Sequence, residues 1–153
     1  MIPMFLSCWR HPTMITQMFG RAAVYGLGVC AEFGGLTFRP LVGEALSKLN
    51  NVIRHPEAQH ADNIMAYDNA VSALGKICQF HRDGIDAAQV IPAWLGCLPI
   101  KDDKIEAKVV HDQLCSMVER SDAQVLGPHS QYLPKIVSIF AEGSVQWKGA
   151  CNR

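Results

Sequence analysis

The sequence predicts an all-α fold, a solenoid of about three stacked helix pairs. Three observations lead to this prediction. An eleven-residue segment recurs along the chain, the apolar residues of each copy follow the helical period, and glycine or proline stands where each predicted helix should end. A repeat of this kind buries its apolar face only by stacking on its neighbours, so we expect one continuous core.

The recurring segment predicts the inner helix of each pair. It reads AVYGLGVCAEF at Ala23–Phe33 and AVSALGKICQF at Ala70–Phe80, with five of eleven positions identical, and a weaker third copy starts at Ala107. On a helical wheel one side of each copy is predicted to face the core. The residues on that side are Ala23, Leu27, Cys30 and Ala31; Ala70, Leu74, Ile77, Cys78 and His81; and Ala107, His111, Leu114 and Val118.

A second unit, which carries a proline, alternates with the first and predicts the outer helices. These helices are expected at Phe38–Arg54, Ala87–Leu98 and Gln131–Glu142. Their prolines, at 40, 92 and 134, are expected in the first helical turn, where a missing N–H costs no hydrogen bond. Inner and outer helices together recur about every 40 residues, which is the range of HEAT and armadillo repeats.

The linkers support the same division of the chain. Gly34 and Gly35 are expected to end the first inner helix, and Leu98-Pro99 should end an outer helix. Asp102 or Asp103 is expected to cap the helix that follows. We therefore predict an atypical segment at residues 1–20, the solenoid at 21–142 and an unstructured tail at 143–153.

Composition excludes several classes of function. Lysine plus arginine equals aspartate plus glutamate, 14 against 14, so no overall field attracts nucleic acid or an anionic membrane. No run of 18 apolar residues predicts a membrane span. The amino-terminal MIPMFLSCW lacks the basic lead of a signal peptide. Most of the six cysteines lie in apolar helical patterns, which favours reduced thiols over disulfides.

No motif predicts catalysis or a cofactor. The chain has no G-x-S-x-G, no P-loop and no H-E-x-x-H sequence, so we expect a protein that is not an enzyme and holds no cofactor. His111 and Cys115 are spaced to reach one zinc ion, but both lie on the predicted core side, where packing is the favoured interpretation. No metal ligand is therefore assigned.

Five strings in the chain are similar to one known family. They are RAAVYGLGVCAEFGG at Arg21–Gly35, FRPLVGEAL at Phe38–Leu46, NAVSALGKI at Asn69–Ile77, IPAWLGCLPI at Ile91–Ile100 and VLGPHSQYLPKI at Val125–Ile136. Their order and gaps resemble the importin-β (karyopherin-β) family, of the importin-5 or karyopherin beta-3 type. Residues 1–20 and those after Glu142 depart from the family pattern, and His129-Ser130 stand where the family usually has an asparagine pair.

The resemblance implies a HEAT-repeat import receptor found in cytoplasm and nucleus. Such receptors bind cargo proteins with nuclear import signals, contact Phe-Gly nucleoporins and release cargo to Ran-GTP. The strings are similar to repeats near the carboxyl end of the family, whereas its main Ran-binding repeats lie near the amino end. We therefore expect a truncated piece of a receptor, with Ran-GTP a partner of the full-length parent only. The alternative is a HEAT scaffold of another system, such as a phosphatase or assembly factor.

Two features are candidate contact sites. Trp94 is expected in the core, or as an aromatic wall of a Phe-Gly slot between outer helices. The wheel side opposite the core predicts a protein-binding strip on the concave surface, with a merely solvated face as the alternative. We name this set the inner strip; its residues are Tyr25, Val29, Glu32, Asn69, Ser72, Lys76, Gln79, Glu106, Val109, Gln113 and Ser116.

Overall fold

The computed structural model describes residues 14–148 of the chain, and the side chains of residues 20–143. This part of the chain contains α-helices and short 3-10 turns and no β-strand. The helices are α1 (Met14–Phe33), α2 (Gly35–Phe38), α3 (Val42–Ile53), α4 (Ile64–Phe80), α5 (Ala87–Gly96), α6 (Lys104–Glu119), α7 (Ala123–Leu126) and α8 (Leu133–Lys148). The 3-10 turns are Arg39–Leu41, Arg82–Gly84 and Pro128–Ser130.

The helices form two layers, as the repeats predict. Helices α1, α4 and α6 carry the three copies of the recurring segment and pack side by side as the inner layer. Helices α3, α5 and α8 correspond to the proline-bearing units and form the outer layer. Pro40 lies in the 3-10 turn just before α3 rather than in its first turn. Helix α4 is central, because it packs against α1, α3, α5 and α6. The all-α HEAT-repeat fold is thereby confirmed.

The core runs through the whole stack. Leu74 and Leu114, predicted to face the core, are both buried. In α1 the predicted residues Ala23, Leu27 and Ala31 are buried, whereas Cys30 is only partly covered. The wheel missed Val24, which is fully buried because α4 covers a broader side of α1 than one apolar stripe.

The third copy needs a correction of register. Ala107, His111 and Val118 were expected to face the core, but each is only partly buried. The buried residues of α6 are Glu106, Val110, Gln113, Leu114 and Met117. The alignment of Ala107 with Ala70 placed the predicted core side of α6 one residue out of register. The third copy is too weakly similar to the others to define its register to within one residue.

The helix ends partly follow the expected signals. Asp103 caps α6, since its Oδ1 accepts hydrogen bonds from the N–H groups of Ile105 (3.0 Å) and Glu106 (3.1 Å). Pro134 lies in the first turn of α8, as predicted. The same expectation is wrong for Pro92, which lies inside α5 because that helix begins at Ala87.

Helical structure extends past both predicted ends of the solenoid. Helix α1 begins at Met14, within the segment predicted to be atypical. Helix α8 continues to Lys148, so the expectation of an unstructured tail is wrong for residues 143–148. Gly143 is buried beside His111, since a Cβ atom there would lie 3.2 Å from Cδ2 of that ring. Residues 1–13 and 149–153 lie outside the described part of the chain.

Candidate protein-binding surface

Seven residues of the inner strip are accessible, and the most exposed of them lies on α1. The side chain of Tyr25 is 52 % exposed, and Val29 and Glu32 are partly exposed. Asn69 and Gln79 on α4, and Val109 and Ser116 on α6, are also partly exposed. A partner could reach these seven side chains without any change in the packing of the inner layer.

Four residues of the inner strip are buried, contrary to the prediction that they face away from the core. They are Ser72, Lys76, Glu106 and Gln113. Ser72 and Lys76 lie on the side of α4 opposite the core, but α1 and α6 flank that side closely enough to cover it. Glu106 and Gln113 lie on the side of α6 that α4 covers. The wheel could not show this, because it treats each helix without its neighbours.

A buried ion pair joins α1 to α4 within the inner strip. The Nζ atom of Lys76 lies 3.0 Å from Oε2 of Glu32. The lysine side chain is only 9 % exposed and the glutamate side chain 32 %. The lysine stem lies beside Gly28, where a Cβ atom would be 3.6 Å from Cδ of Lys76, at ordinary contact distance. The sequence placed both residues on the strip but gave no signal that they pair.

Trp94 lies in the core, which was one of the two positions expected for it. Its side chain is fully buried, and its Nε1–H donates a hydrogen bond to the carbonyl oxygen of Val71 (3.1 Å). Gly75 admits the indole ring, because a Cβ atom there would lie 2.8 Å from Cζ2 of Trp94 and from Oε1 of Gln113. A fully buried indole offers no wall to a Phe-Gly peptide.

Two polar atoms of the inner strip are buried without a hydrogen bond within the described structure. They are Oγ of Ser72 and Oε1 of Gln113. Buried polar atoms are usually paired, so this part of the α4–α6 interface is less stable than an apolar contact of the same size. The polar character of the inner strip therefore costs folding stability.

Burial disfavours ionisation of two thiols in the described part of the chain. Burial raises the pKa of Cys78 to about 12. Burial, followed by the nearby Asp112 and Glu119 carboxylates, raises the pKa of Cys115, whose Sγ lies 3.7 Å from Nδ1 of His111. Raised pKa values keep both groups as thiols, which are poor nucleophiles and poor metal ligands. In residues 14–148 no group of three metal-ligating side chains comes together.

An apolar cleft lies between α6 and α8, beside the turn that joins α5 to α6. Its lining residues are Leu98, Pro99, Ile100, Ala107, Val110, His111, Leu114, Ile139 and Gly143. We name it the α6–α8 cleft. The cleft lies between an inner helix, α6, and an outer helix, α8. The Phe-Gly slots expected from the resemblance lie instead between two outer helices.

Sequence reasoning also missed a clamp between successive repeats. Arg82, in the turn after α4, donates from Nε to the carbonyl oxygen of Cys78 (2.7 Å) and from Nη2 to Oδ2 of Asp122 (2.9 Å). Asp122 in turn caps α7 by accepting from the N–H groups of Gln124 and Val125. An arginine and an aspartate 40 residues apart carry no local pattern that could have predicted this contact.

The chain is similar to known importins over most of its length. It is 37 % identical over 128 residues to a probable importin-5 homolog of Dictyostelium discoideum, a match that covers 80 % of this chain and 12 % of that protein. It is 26 % identical over 121 residues to importin subunit beta-3 of Saccharomyces cerevisiae, covering 78 % of this chain and 11 % of that protein. No protein-family model matches the chain.

Within the described residues, no helix is long and apolar enough to cross a membrane. The chain spans about one-eighth of the length of these relatives. Identity of 37 % over four-fifths of the chain, together with the HEAT-repeat fold, shows that the chain belongs to the importin-β family, of the importin-5 type.

Proposed function

We propose that this chain acts in nuclear import, as part of a receptor that carries cargo proteins between cytoplasm and nucleus. The observation that carries the proposal is the similarity to two proteins named as importins over about four-fifths of the chain. Because the chain spans only 12 % of the first of them, receptor activity belongs to the longer protein, and this segment contributes contact surfaces.

The accessible residues of the inner strip supply the cargo-facing surface in this proposal. Solenoids of stacked repeats use their concave side for partners. Tyr25 supports the assignment, because aromatic side chains are enriched where proteins bind each other and this one is half exposed. Val29 and Val109 extend the partly apolar surface on either side of α4.

The α6–α8 cleft supplies a second surface, for weak contacts with Phe-Gly nucleoporins. Most of the cleft is lined by aliphatic side chains such as Leu98, Val110 and Ile139, which suit a phenylalanine ring. Its cavity of about 20 Å³ holds only about one water molecule, so the ring would enter only after α6 and α8 move apart. Contacts of this kind should have dissociation constants in the high-micromolar to millimolar range. That range corresponds to a binding free energy of about 4–6 kcal/mol in magnitude. Added salt should weaken them little, because the contact is apolar.

The test is a titration of the ¹⁵N-labelled chain with a Phe-Gly peptide, followed by NMR. We expect weak saturable shifts that cluster at the α6–α8 cleft. The variant Gly143→Leu should abolish them, since a side chain at Gly143 would enter the cleft beside His111. Gly43→Leu is the matched control, because a Cβ atom at Gly43 meets nothing within 4 Å.

Ran loaded with GTP should leave the titration unchanged, since we assign Ran binding to the longer protein. Shifts confined to residues outside the α6–α8 cleft, or equal binding by the Gly143→Leu variant, would contradict the assignment of the cleft. A folded chain that binds no Phe-Gly peptide would leave a HEAT scaffold of another system as the better proposal.

A further inference from the structure

The inner strip carries almost no free charge. Its charged residues are Glu32, Lys76 and Glu106. Glu32 is paired with Lys76, and Glu106 is buried, with 6 % of its surface exposed. Nearby on α6, Asp112 is paired with Lys108 at 2.9 Å. A basic segment that lay along the strip would therefore meet no unpaired, accessible carboxylate among the strip residues.

Lys76 reaches Glu32 from inside the fold rather than from solvent. Its stem lies beside Gly28, between α1 and α4, and its ammonium contacts a carboxylate whose side chain is about one-third exposed. The packing of α4 already restricts the lysine side chain. Forming the ion pair therefore costs less side-chain entropy than it does for two exposed side chains. A lysine on a partner would meet a carboxylate whose charge Lys76 already offsets, so it would gain less than it would from an unpaired glutamate.

We propose that Lys76 determines specificity: by occupying Glu32 from within, it directs the inner strip toward uncharged partner segments and away from basic ones. The inference rests on the proposed function, because it requires the strip to be a docking surface. Discrimination of this kind works by removing the interaction that a wrong partner needs. Asn69, Gln79 and Ser116 stay partly exposed and can hydrogen-bond with an uncharged segment.

The test uses the full chain and two short fluorescein-labelled peptides, one alternating lysine with serine and the other glutamine with serine. Fluorescence anisotropy at low ionic strength measures their association. The wild-type chain should bind the lysine peptide no more tightly than the glutamine peptide. Lys76→Gln should raise the association constant for the lysine peptide about two- to fivefold, the range of one exposed ion pair. The double variant Glu32→Gln/Lys76→Gln should lose this gain.

Lys108→Gln is the matched control. It frees the carboxylate of Asp112 and changes the net charge of the chain by the same amount, but it acts on an exposed pair outside the inner strip. An equal gain in this variant would show a general effect of charge and overturn the inference. So would tighter binding of the lysine peptide by the wild-type chain, a measurement that needs no variant.

Folding of each variant is checked by circular dichroism, and Lys76→Met, which keeps an apolar stem, replaces Lys76→Gln if the latter unfolds. The outcome is separate from that of the Phe-Gly titration. A chain that fails to bind Phe-Gly peptide but gains lysine-peptide binding in Lys76→Gln would support this inference and contradict the nucleoporin contact.

Discussion

At the scale of single residues, the positions without a side chain decide how closely the helices pack. Gly28 brings α1 within contact of Ala73 on α4, where a Cβ atom would lie 3.3 Å from the Cβ of that alanine. Gly75 sits at the meeting point of α4, α5 and α6. The Leu-Gly pair that recurs at residues 27–28 and 74–75 is thus explained by close packing of the helices.

Gly75→Ala should destabilise the fold although alanine favours helices. The added methyl would lie 2.8 Å from Trp94 and from Gln113, and overpacking of this kind costs about 1–3 kcal/mol. Gly43→Ala, in open space on α3, should instead gain up to about 1 kcal/mol from helix propensity. Urea denaturation of both variants measures the difference; a stabilised Gly75→Ala variant would contradict the packing described for Trp94.

The turn before α8 offers a second residue-scale prediction. His129 and Ser130 have φ angles of 52° and 57°, in the left-handed region that asparagine adopts more readily than most residues. The importin resemblance has an asparagine pair at these positions. Ser130→Asn should therefore raise the free energy of unfolding, by about 0.5–1 kcal/mol, because it relieves left-handed strain.

The control for this turn is Ser47→Asn, an exposed residue on α3 with helical neighbours. That substitution should change stability little, because serine and asparagine have similar helix propensities. Thermal unfolding of the two variants is sufficient for the comparison. Equal effects at residues 130 and 47 would show that backbone strain at the turn does not limit stability.

At the scale of elements, the clamp between Arg82 and Asp122 holds α7 against the turn after α4. Burial alone would raise the pKa of Asp122, but the hydrogen bonds and charge of Arg82, with the N–H groups of Val125 and Gln124, hold it below its usual value. A carboxyl with a lowered pKa stabilises the fold above its unfolded pKa of about 4, and this contribution is lost as pH falls through the folded value.

Asp122→Asn should accordingly lower the free energy of unfolding at pH 7 and remove part of the loss of stability that acid causes in the wild-type chain.

Asp68→Asn should have the opposite effect and raise the free energy of unfolding at pH 7. Burial raises the pKa of Asp68, so its charged form opposes folding at neutral pH, whereas an amide oxygen can still accept the hydrogen bond from the N–H of Asp103. Urea denaturation from pH 3 to 7 tests both; a pH profile unchanged by Asp122→Asn would contradict the clamp.

At the scale of the whole molecule, the described stack has exposed apolar side chains at its edges. Phe33 and Leu36 are 77 % and 81 % exposed beside the carboxyl end of α1, and α8 exposes Leu133 and Val137. Exposed apolar groups of this kind promote association. In a solenoid such edges are the surfaces on which further repeats stack.

The isolated chain should therefore associate as its concentration rises. Sedimentation velocity or light scattering should show species larger than a monomer, and Phe33→Ser/Leu36→Ser should shift the population toward monomer. Thr37→Ser, an exposed residue beside both, is the control. A monodisperse wild-type monomer at high concentration would show that these side chains do not cause self-association.

Local patterns in the sequence were sufficient for the architecture. The copies at Ala23–Phe33 and Ala70–Phe80 defined two inner helices because the helical period and glycine stops act within a few residues. The same local rules placed Leu74 and Leu114 in the core and narrowed the cap of α6 to Asp102 or Asp103, of which the structure uses Asp103. The family resemblance also needed only linear strings, and the comparisons confirmed it.

Only the tertiary structure decided what the inner strip exposes. Whether Ser72 and Lys76 meet solvent depends on how closely α1 and α6 flank α4, and the wheel of a single helix contains no such distance. The pair of Lys76 with Glu32, like that of Arg82 with Asp122, joins residues far apart in the chain. Such contacts arise from the stacking of whole helices. Local sequence patterns can therefore identify candidate surface residues but cannot predict which of them contact each other.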